Sequence, residues 1–184
     1  LVAQAYIRAV FGVETLSERL RMPEPLKPAL GGAIVGLIGI GVPQIFGNGY
    51  PIIETALGNG YTLTLMALLC AAKIVGTALT VGSGGSGGVF APSLFVGAMF
   101  GGAFGDALGR VFPGTVPDPG AFALVGMAAV FAGAAHAPIT ATLMLFEMTD
   151  DYHIILPLMA ATVLSVFLSQ RLSRDSIYTI RLRR

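Results

Sequence analysis

Charged residues divide the chain into long uncharged stretches. The four longest segments without Asp, Glu, Lys or Arg are residues 28–53, 74–105, 119–146 and 152–170. A transmembrane helix needs roughly 20 mostly apolar residues, and each segment is about that long or longer. The pattern therefore predicts four or more membrane segments.

Glycine and proline interrupt these segments, so they do not predict uniform spanning helices. The breaks predict a helix that ends near Arg19, then helices over about 29–46, 51–57, 62–81, 90–111, 121–135, 138–149 and 153–171, and a short one from about 177. Several are too short to cross a hydrocarbon core of about 30 Å at 1.5 Å per residue. Helices that end inside a membrane must be buried in protein or line a wet cavity, which is typical of a channel or transporter.

Composition supports a membrane protein with close helix packing. Of 184 residues, 54% are hydrophobic and 11% are charged, whereas a soluble domain carries about 25% charged residues. This disfavours a disordered chain, a coiled coil and an ordinary cytosolic enzyme, and a net charge of +1 gives no reason to expect nucleic acid as a partner. The 25 glycines indicate helices that approach closely or break. Cys70 is the only cysteine, so no intrachain disulfide can form.

The basic residues predict an orientation. The C-terminal tail contains one acidic residue, Asp175, and five arginines, which are Arg171, Arg174, Arg181, Arg183 and Arg184. The positive-inside bias places this tail and the loop at 19–28 in the cytoplasm, and residues 106–118 outside. The chain begins at Leu1 with neither Met nor a signal peptide, so we expect a fragment of a longer multi-pass protein of a plasma or inner membrane.

The glycine-rich segment 82–92 reads Gly-Ser-Gly-Gly-Ser-Gly-Gly-Val-Phe-Ala-Pro. The spacing Gly82-x-Gly84-x-x-Gly87 matches a dinucleotide fingerprint, but that motif needs a preceding strand, and uncharged apolar stretches flank this one. The lysine of a phosphate-binding P-loop is missing, and a solvated Gly/Ser linker would have polar flanks. The interpretation that fits best is a bare backbone that lets a ligand approach the start of a helix.

That interpretation predicts an anion site. Pro92 suits the first turn of a helix, which leaves the N–H groups of Val89, Phe90 and Ala91 as unpaired donors at a helix N-terminus. Half a unit charge acting on a monovalent anion about 4 Å away contributes roughly 2 kcal/mol at an effective ε near 20. Burying the ion costs several kcal/mol at least, so further donors must converge. A Lys or Arg is not required and would hold the ion too tightly for passage.

Tyr178 is the best candidate for a converging hydroxyl. It follows Ser176-Ile177 at the start of the last short helix, from which the hydroxyl could point towards the membrane centre. A tyrosine at headgroup level explains the same position equally well, and the chemistry alone leaves both interpretations open.

Several motifs together resemble the CLC family of chloride channels and proton-coupled chloride exchangers. Gly88-Val89-Phe90-Ala91-Pro92 is similar to the family's GxFxP element. The other similar segments, in the family's order and spacing, are Gly47-x-Gly49-Tyr50, Pro92–Ala98, Phe122–Ala129, Ala137-Pro138-Ile139-Thr140, Glu147-Met148-Thr149-Asp150 and Ile177-Tyr178. The resemblance covers essentially the whole chain, but only the second half of the family's membrane domain.

The resemblance implies a fold and a site. It implies an all-α membrane bundle with short, broken and re-entrant helices, in which residues 1–184 form one unit. It also implies chloride coordination by the backbone amides of Val89 and Phe90 and by the hydroxyl of Tyr178. The supporting residues of the anion loop would be Gly87, Gly88, Ala91 and Pro92. No cofactor, metal or covalent chemistry is implied, so we expect a transporter and not an enzyme.

The resemblance also implies partners. CLC proteins are homodimers, and the helices at about 138–149 and 153–170 match part of the family's dimer contact. The family's GSGxP loop, its GxEGP loop with the gating glutamate and the internal proton glutamate do not occur in this sequence. We therefore expect that the chain needs the N-terminal half to transport anions. The sequence does not decide between a channel and an exchanger. The alternative function is a membrane-embedded dimerisation scaffold without transport.

The remaining polar residues have simpler explanations. Glu147 is more consistent with a structural carboxylate near water than with a proton group. Lys73, inside an apolar segment, is expected to snorkel or to pair. His136 is expected to cap a helix or bond locally, and with His153 it lacks a third metal ligand. The spacing Gly97-x-x-x-Gly101 predicts close helix packing.

Overall fold

The computed structural model describes residues 1–19, 22–115, 117–149, 152–173 and 175–182, without the side chains of residues 153, 181 and 182. Within these residues the regular structure is entirely helical. The α-helices are α1 (Val2–Arg19), α2 (Leu26–Gly41), α3 (Tyr50–Leu57), α4 (Leu63–Gly82), α5 (Phe90–Val111), α6 (Pro119–Ala135), α7 (Pro138–Thr149), α8 (Ile155–Leu172) and α9 (Ile177–Leu182). Short 3-10 helices occupy Pro43–Ile45 and Tyr152–Ile154. The predicted all-α fold is confirmed.

The second predicted helix is wrong at both ends. We expected a helix over about 29–46, but α2 ends at Gly41 and a 3-10 turn follows. Val42 has φ −137° and ψ 74°, because a residue that precedes proline is forced out of the α region. The helix begins earlier than expected because Pro28 lies within its first turn, where its missing N–H costs nothing.

Glycines bring α5 and α6 into direct backbone contact. A Cβ atom on Gly97 would overlap the carbonyl oxygen of Gly126, and a Cβ on Gly126 would overlap that of Gly97. A Cβ on Gly101 would likewise meet the backbone of Phe122. The close packing predicted from the Gly97-x-x-x-Gly101 spacing is therefore present, and it makes α5 and α6 the central pair of the bundle.

The core lies around this pair, and the outer face of the bundle is also apolar. Fully buried side chains from α1, α4, α5 and α6 include Tyr6, Leu69, Leu94, Phe95, Met99 and Met127. Large exposed apolar side chains line α2, α7 and α8, among them Leu37, Ile40, Ile139, Leu143, Leu156 and Phe167. Among the described residues, three helical stretches are long and apolar enough to cross a membrane, and they are Leu63–Gly82, Phe90–Val111 and the stretch that begins at Ile155.

The structure corrects one expectation about Lys73. Snorkelling is wrong, because the side chain is only 4% exposed. Pairing is confirmed, but with backbone groups: Nζ donates hydrogen bonds to the carbonyl oxygens of Ile45 (2.7 Å) and Gly47 (2.9 Å). The ammonium also lies 4.9 Å from the centre of the Phe95 ring. Lys73 thus ties α4 to the segment that follows α2.

His136 caps a helix but does not bond locally. It ends α6 in the left-handed conformation, with φ 58°, and its Nε2 lies 3.3 Å from the hydroxyl of Ser169 on α8. Glu147 is exposed at the end of α7. No group of three metal-binding side chains occurs among the described residues. Several residues of the sequence predictions lie outside the described residues, namely Asp150, Asp151, Arg174, Arg183 and Arg184, together with the side chains of His153 and Arg181.

Candidate anion-binding site

The first residues of the glycine-rich segment terminate α4. The N–H of Gly84 bonds to the carbonyl of Val81 (3.2 Å), and the N–H of Gly85 bonds to that of Thr80 (3.0 Å). Gly84 has φ +87°, and this pair of bonds around a left-handed residue is a Schellman motif. A Cβ on Gly85 would lie 2.6 Å from the Thr80 carbonyl oxygen. The first glycines are therefore needed to reverse the chain.

The later residues of the segment lead directly into α5. Val89 is the N-cap, Phe90 is the first helical residue, and no side chain caps this end. Pro92 lies in the first turn, as the sequence predicted. Because the first N–H groups of a helix have no carbonyl partner within it, the amides at this start have no partner within α5.

Hydroxyl groups hold the peptide units at this helix start. The carbonyl oxygen of Val89 accepts the Tyr6 hydroxyl at 3.0 Å and the Ser93 N–H at 3.2 Å. The carbonyl oxygen of Phe90 accepts the Ser93 hydroxyl at 2.6 Å. The Phe90 ring packs edge-to-face on Phe131 of α6, with centroids 4.9 Å apart and ring planes at 79°. Backbone and side chain of Phe90 are therefore fixed by separate contacts.

A reciprocal cap positions Tyr178 at the start of α9. The Ser176 N–H donates to Thr179 Oγ1 at 2.8 Å, and the Thr179 N–H donates to Ser176 Oγ at 3.2 Å, which is the arrangement of a capping box. Ile177 is buried in the core, whereas Tyr178 is 47% exposed. The cap thus anchors one side of the turn and leaves the Tyr178 phenol at a cavity.

That cavity brings most of the predicted site together. It has a volume of about 320 Å³ and is lined by Val10, Phe11, Val81, Gly87, Gly88, Val89, Phe90, Ile177 and Tyr178. Residues from α1, α4, α5 and α9 therefore meet there, and Tyr178 faces the same space as the start of α5 although about 90 positions separate them in the sequence.

Two of the predicted supporting residues lie elsewhere. Ala91 and Pro92 line a second cavity of about 370 Å³, whose polar lining comes from Asn48, Lys73, Thr77, Thr80 and Ser86. Gly87 and Gly88 line both cavities. The end of the glycine-rich segment therefore forms the wall between a cavity that contains a tyrosine and a cavity that contains a buried ammonium.

Sequence reasoning missed Tyr6 and misjudged the surroundings of Lys73. Tyr6 is one of several polar or polar-tipped residues in α1, and nothing in its spacing connects it with Val89, 83 positions away. Lys73 carried a signal, since a charge inside a long apolar segment needs a partner. Its partners are backbone carbonyls, which a residue pattern does not reveal.

Comparisons with known proteins identify similar sequences. The sequence model of the family described as voltage gated chloride channel matches residues 1–170. The chain is 40% identical over 160 residues to the voltage-gated ClC-type chloride channel ClcB of Salmonella typhi, covering 87% of this chain and 38% of that protein. It is 38% identical over 148 residues to the H⁺/Cl⁻ exchange transporter ClcA of Vibrio campbellii, covering 80% of this chain and 32% of that one.

A solved structure shows the same fold. The X-ray structure of a slow cyanobacterial Cl⁻/H⁺ antiporter matches with a TM-score of 0.82 and 30% sequence identity, over 98% of this chain and 43% of that one. The chain thus spans about a third of the length of these curated relatives and less than half of the solved structure.

Proposed function

This chain belongs to the voltage-gated chloride channel (CLC) family, and we propose that it supplies one side of a chloride-transport site. The anion is held by the backbone amides of Val89 and Phe90 and by the hydroxyl of Tyr178, and Gly87 and Gly88 keep the approach open. One observation carries the proposal. Residues from the start of α5 and from α9 line the same cavity of about 320 Å³.

The chemistry of this cavity suits an anion that must leave again. The start of α5 has no side-chain cap, so unpaired N–H groups and the positive end of the helix dipole attract negative charge. The phenol of Tyr178 adds a neutral donor. Among the described residues, none that lines this cavity is Lys or Arg, and binding by partial charges is weak enough to permit conduction.

The glycines contribute by being small. A Cβ on Gly88 would meet no atom within 4 Å, so the absence of a side chain there is not required by packing within this chain. An open backbone next to an uncapped helix end is what close approach of a ligand requires. This supports a role for Gly88 in access to the site rather than in folding.

We further propose that α7 and α8 form the contact with a second copy of the protein. Among the described residues, a groove between them of about 350 Å³ is lined by apolar residues, by two threonines and by Tyr152. Exposed side chains of Ile139, Leu143 and Leu156 extend this apolar face.

We also propose that the C-terminus is cytoplasmic and that the bundle lies in a plasma or inner membrane. Transport requires the N-terminal half of the same membrane domain.

Chloride flux through liposomes tests the transport proposal. The full-length protein is reconstituted into vesicles loaded with KCl, and valinomycin is added to dissipate the membrane potential. External chloride and pH are then recorded together. We expect chloride efflux above that of protein-free vesicles. Because one relative is named an exchange transporter and another a channel, the pH trace shows whether protons move with chloride.

The scaffold alternative makes the opposite prediction. A dimerisation scaffold would migrate as a stable dimer in detergent and give efflux equal to that of protein-free vesicles. That result, obtained with protein that is monodisperse and correctly inserted, would overturn the transport proposal.

A further inference from the structure

We infer that Tyr6 is the positioning residue of the anion site and acts through the peptide bond between Val89 and Phe90. The inference rests on the proposed function, because it assigns a role to Tyr6 only if the Phe90 amide binds the anion. Tyr6 is not among the residues that line the cavity that contains Tyr178, so we assign it a role through Val89 and not as an ion ligand. Val89 and Phe90, the two residues that this peptide group joins, both line that cavity.

The geometry follows from the planarity of the peptide bond. In a trans peptide the C=O of one residue and the N–H of the next point in opposite directions and rotate together. The Tyr6 hydroxyl donates to the carbonyl oxygen of Val89 at 3.0 Å. A bond that holds this carbonyl on one side therefore fixes the direction of the Phe90 N–H on the other side.

The hydroxyl is held by a rigid part of the protein. Tyr6 is fully buried, at 0% exposure, in the core cluster of α1, α4, α5 and α6. A buried hydroxyl without a partner is costly, and this one donates to the Val89 carbonyl and also bonds to the Thr77 side chain. The orientation of Phe90 N–H is thus set by core packing and not by the exposed loop that precedes it.

The same bond strengthens the donor. A hydrogen bond to a peptide carbonyl polarises the peptide group, and chains of hydrogen bonds reinforce one another in a low dielectric. The Phe90 N–H therefore carries more positive charge while Tyr6 donates to Val89. Position and donor strength change together when the hydroxyl is removed.

We expect the fold to persist without the hydroxyl, although Thr77 also loses a partner. The Val89 carbonyl still accepts the Ser93 N–H at 3.2 Å, so it is not left unsatisfied in Tyr6→Phe. The phenyl ring still fills the core. The matched control is Ser165→Ala, because Ser165 also makes an interhelical bond from a hydroxyl to a carbonyl, that of Ala129 at 2.6 Å, and lines neither cavity of the glycine-rich segment.

The experiment measures chloride and bromide affinity by calorimetry on the full-length protein in detergent, with thermal unfolding in parallel. We expect Tyr6→Phe to weaken chloride binding about three- to tenfold and to change the ratio of the chloride and bromide affinities, because a less fixed amide discriminates ion size less well. Ser165→Ala should lower the unfolding temperature comparably and leave both affinities unchanged. A fluorinated tyrosine at position 6 keeps the hydroxyl and makes it a stronger donor, so affinity should equal or exceed that of the wild type.

The outcomes separate this inference from the proposed function. If Tyr178→Phe weakens chloride binding and Tyr6→Phe does not, the positioning role of Tyr6 is wrong and the anion site stands. If Tyr6→Phe and Ser165→Ala reduce affinity equally, the effect is general loosening and the inference is overturned. The inference is also overturned if the protein with fluorotyrosine at position 6 binds chloride as weakly as Tyr6→Phe does. Unchanged chloride affinity in both tyrosine variants would remove the proposed site itself.

Discussion

Replacing Tyr178 by Phe removes one donor from the proposed chloride site and nothing from the core. The ring stays, and its neighbour Ile177 continues to anchor the turn. A hydrogen bond to a charged group contributes about 1.5–3 kcal/mol, and because Tyr178 is 47% exposed water can replace part of it, so the lower end applies. Since about 1.4 kcal/mol corresponds to a factor of ten in affinity, we expect chloride binding to weaken about tenfold.

Isothermal calorimetry on the full-length protein in chloride-free detergent buffer measures this change. Tyr61→Phe is the matched control, since Tyr61 is also partly exposed, lies just before α4 and lines neither cavity of the glycine-rich segment. The control should bind chloride as the wild type does. Equal affinities for Tyr178→Phe and wild type, with unfolding temperatures also equal, would remove Tyr178 from the site and leave the interfacial interpretation of this residue.

Four further changes test other parts of the structure. Gly88→Val should lower chloride flux at an unchanged unfolding temperature, because its side chain enters open space at the site; Gly109→Val, which also meets no atom within 4 Å, should retain flux, and equal flux in both would contradict the reasoning. Lys73→Met deprives two backbone carbonyls of their donor and should destabilise the protein by about 2 kcal/mol, so an unchanged unfolding midpoint would be inconsistent with it. Gly126→Val places a side chain into the backbone of α5 and should abolish monodisperse protein in size-exclusion chromatography; a normal elution profile would show that this contact can open. A cysteine at Arg174 should react with an impermeant thiol reagent only from the cytoplasmic side, and labelling from outside would reverse the proposed orientation.

Local chemistry explains which helix limits could be predicted from the sequence. Helix α5 begins at Phe90 and ends at Val111, as predicted. A proline follows a glycine run at its start, and Pro113-Gly114 follows its end. The end of α4 depends on Gly84, whose positive φ allows the Schellman turn. At the end of α2 the prediction ran five residues too far, because it passed over Pro43, which forces Val42 out of the α region.

Long-range contacts account for what the sequence did not reveal. The bond from Tyr6 to Val89 joins α1 to α5 across 83 positions, and the partners of Lys73 are carbonyl groups that every residue possesses. A pattern of residue types reports on neighbours along the chain and on helical faces. It does not report which backbone carbonyl a buried donor reaches, because that depends on how the helices pack.

The energy of the proposed site indicates how firmly it can hold an ion. The start of α5 contributes roughly 2 kcal/mol and the Tyr178 hydroxyl about 1.5 kcal/mol, whereas the effective cost of burying an ion is several kcal/mol. Lys73 does not supply the missing energy, because it lines the second cavity of the glycine-rich segment and donates to backbone carbonyls there. Since the relatives are about three times as long as the segment that this chain matches, we expect the missing donors to come from the other half of the membrane domain. Each half would then hold the anion too weakly by itself, and chloride would bind only where the two meet, which makes release into either side of the membrane fast.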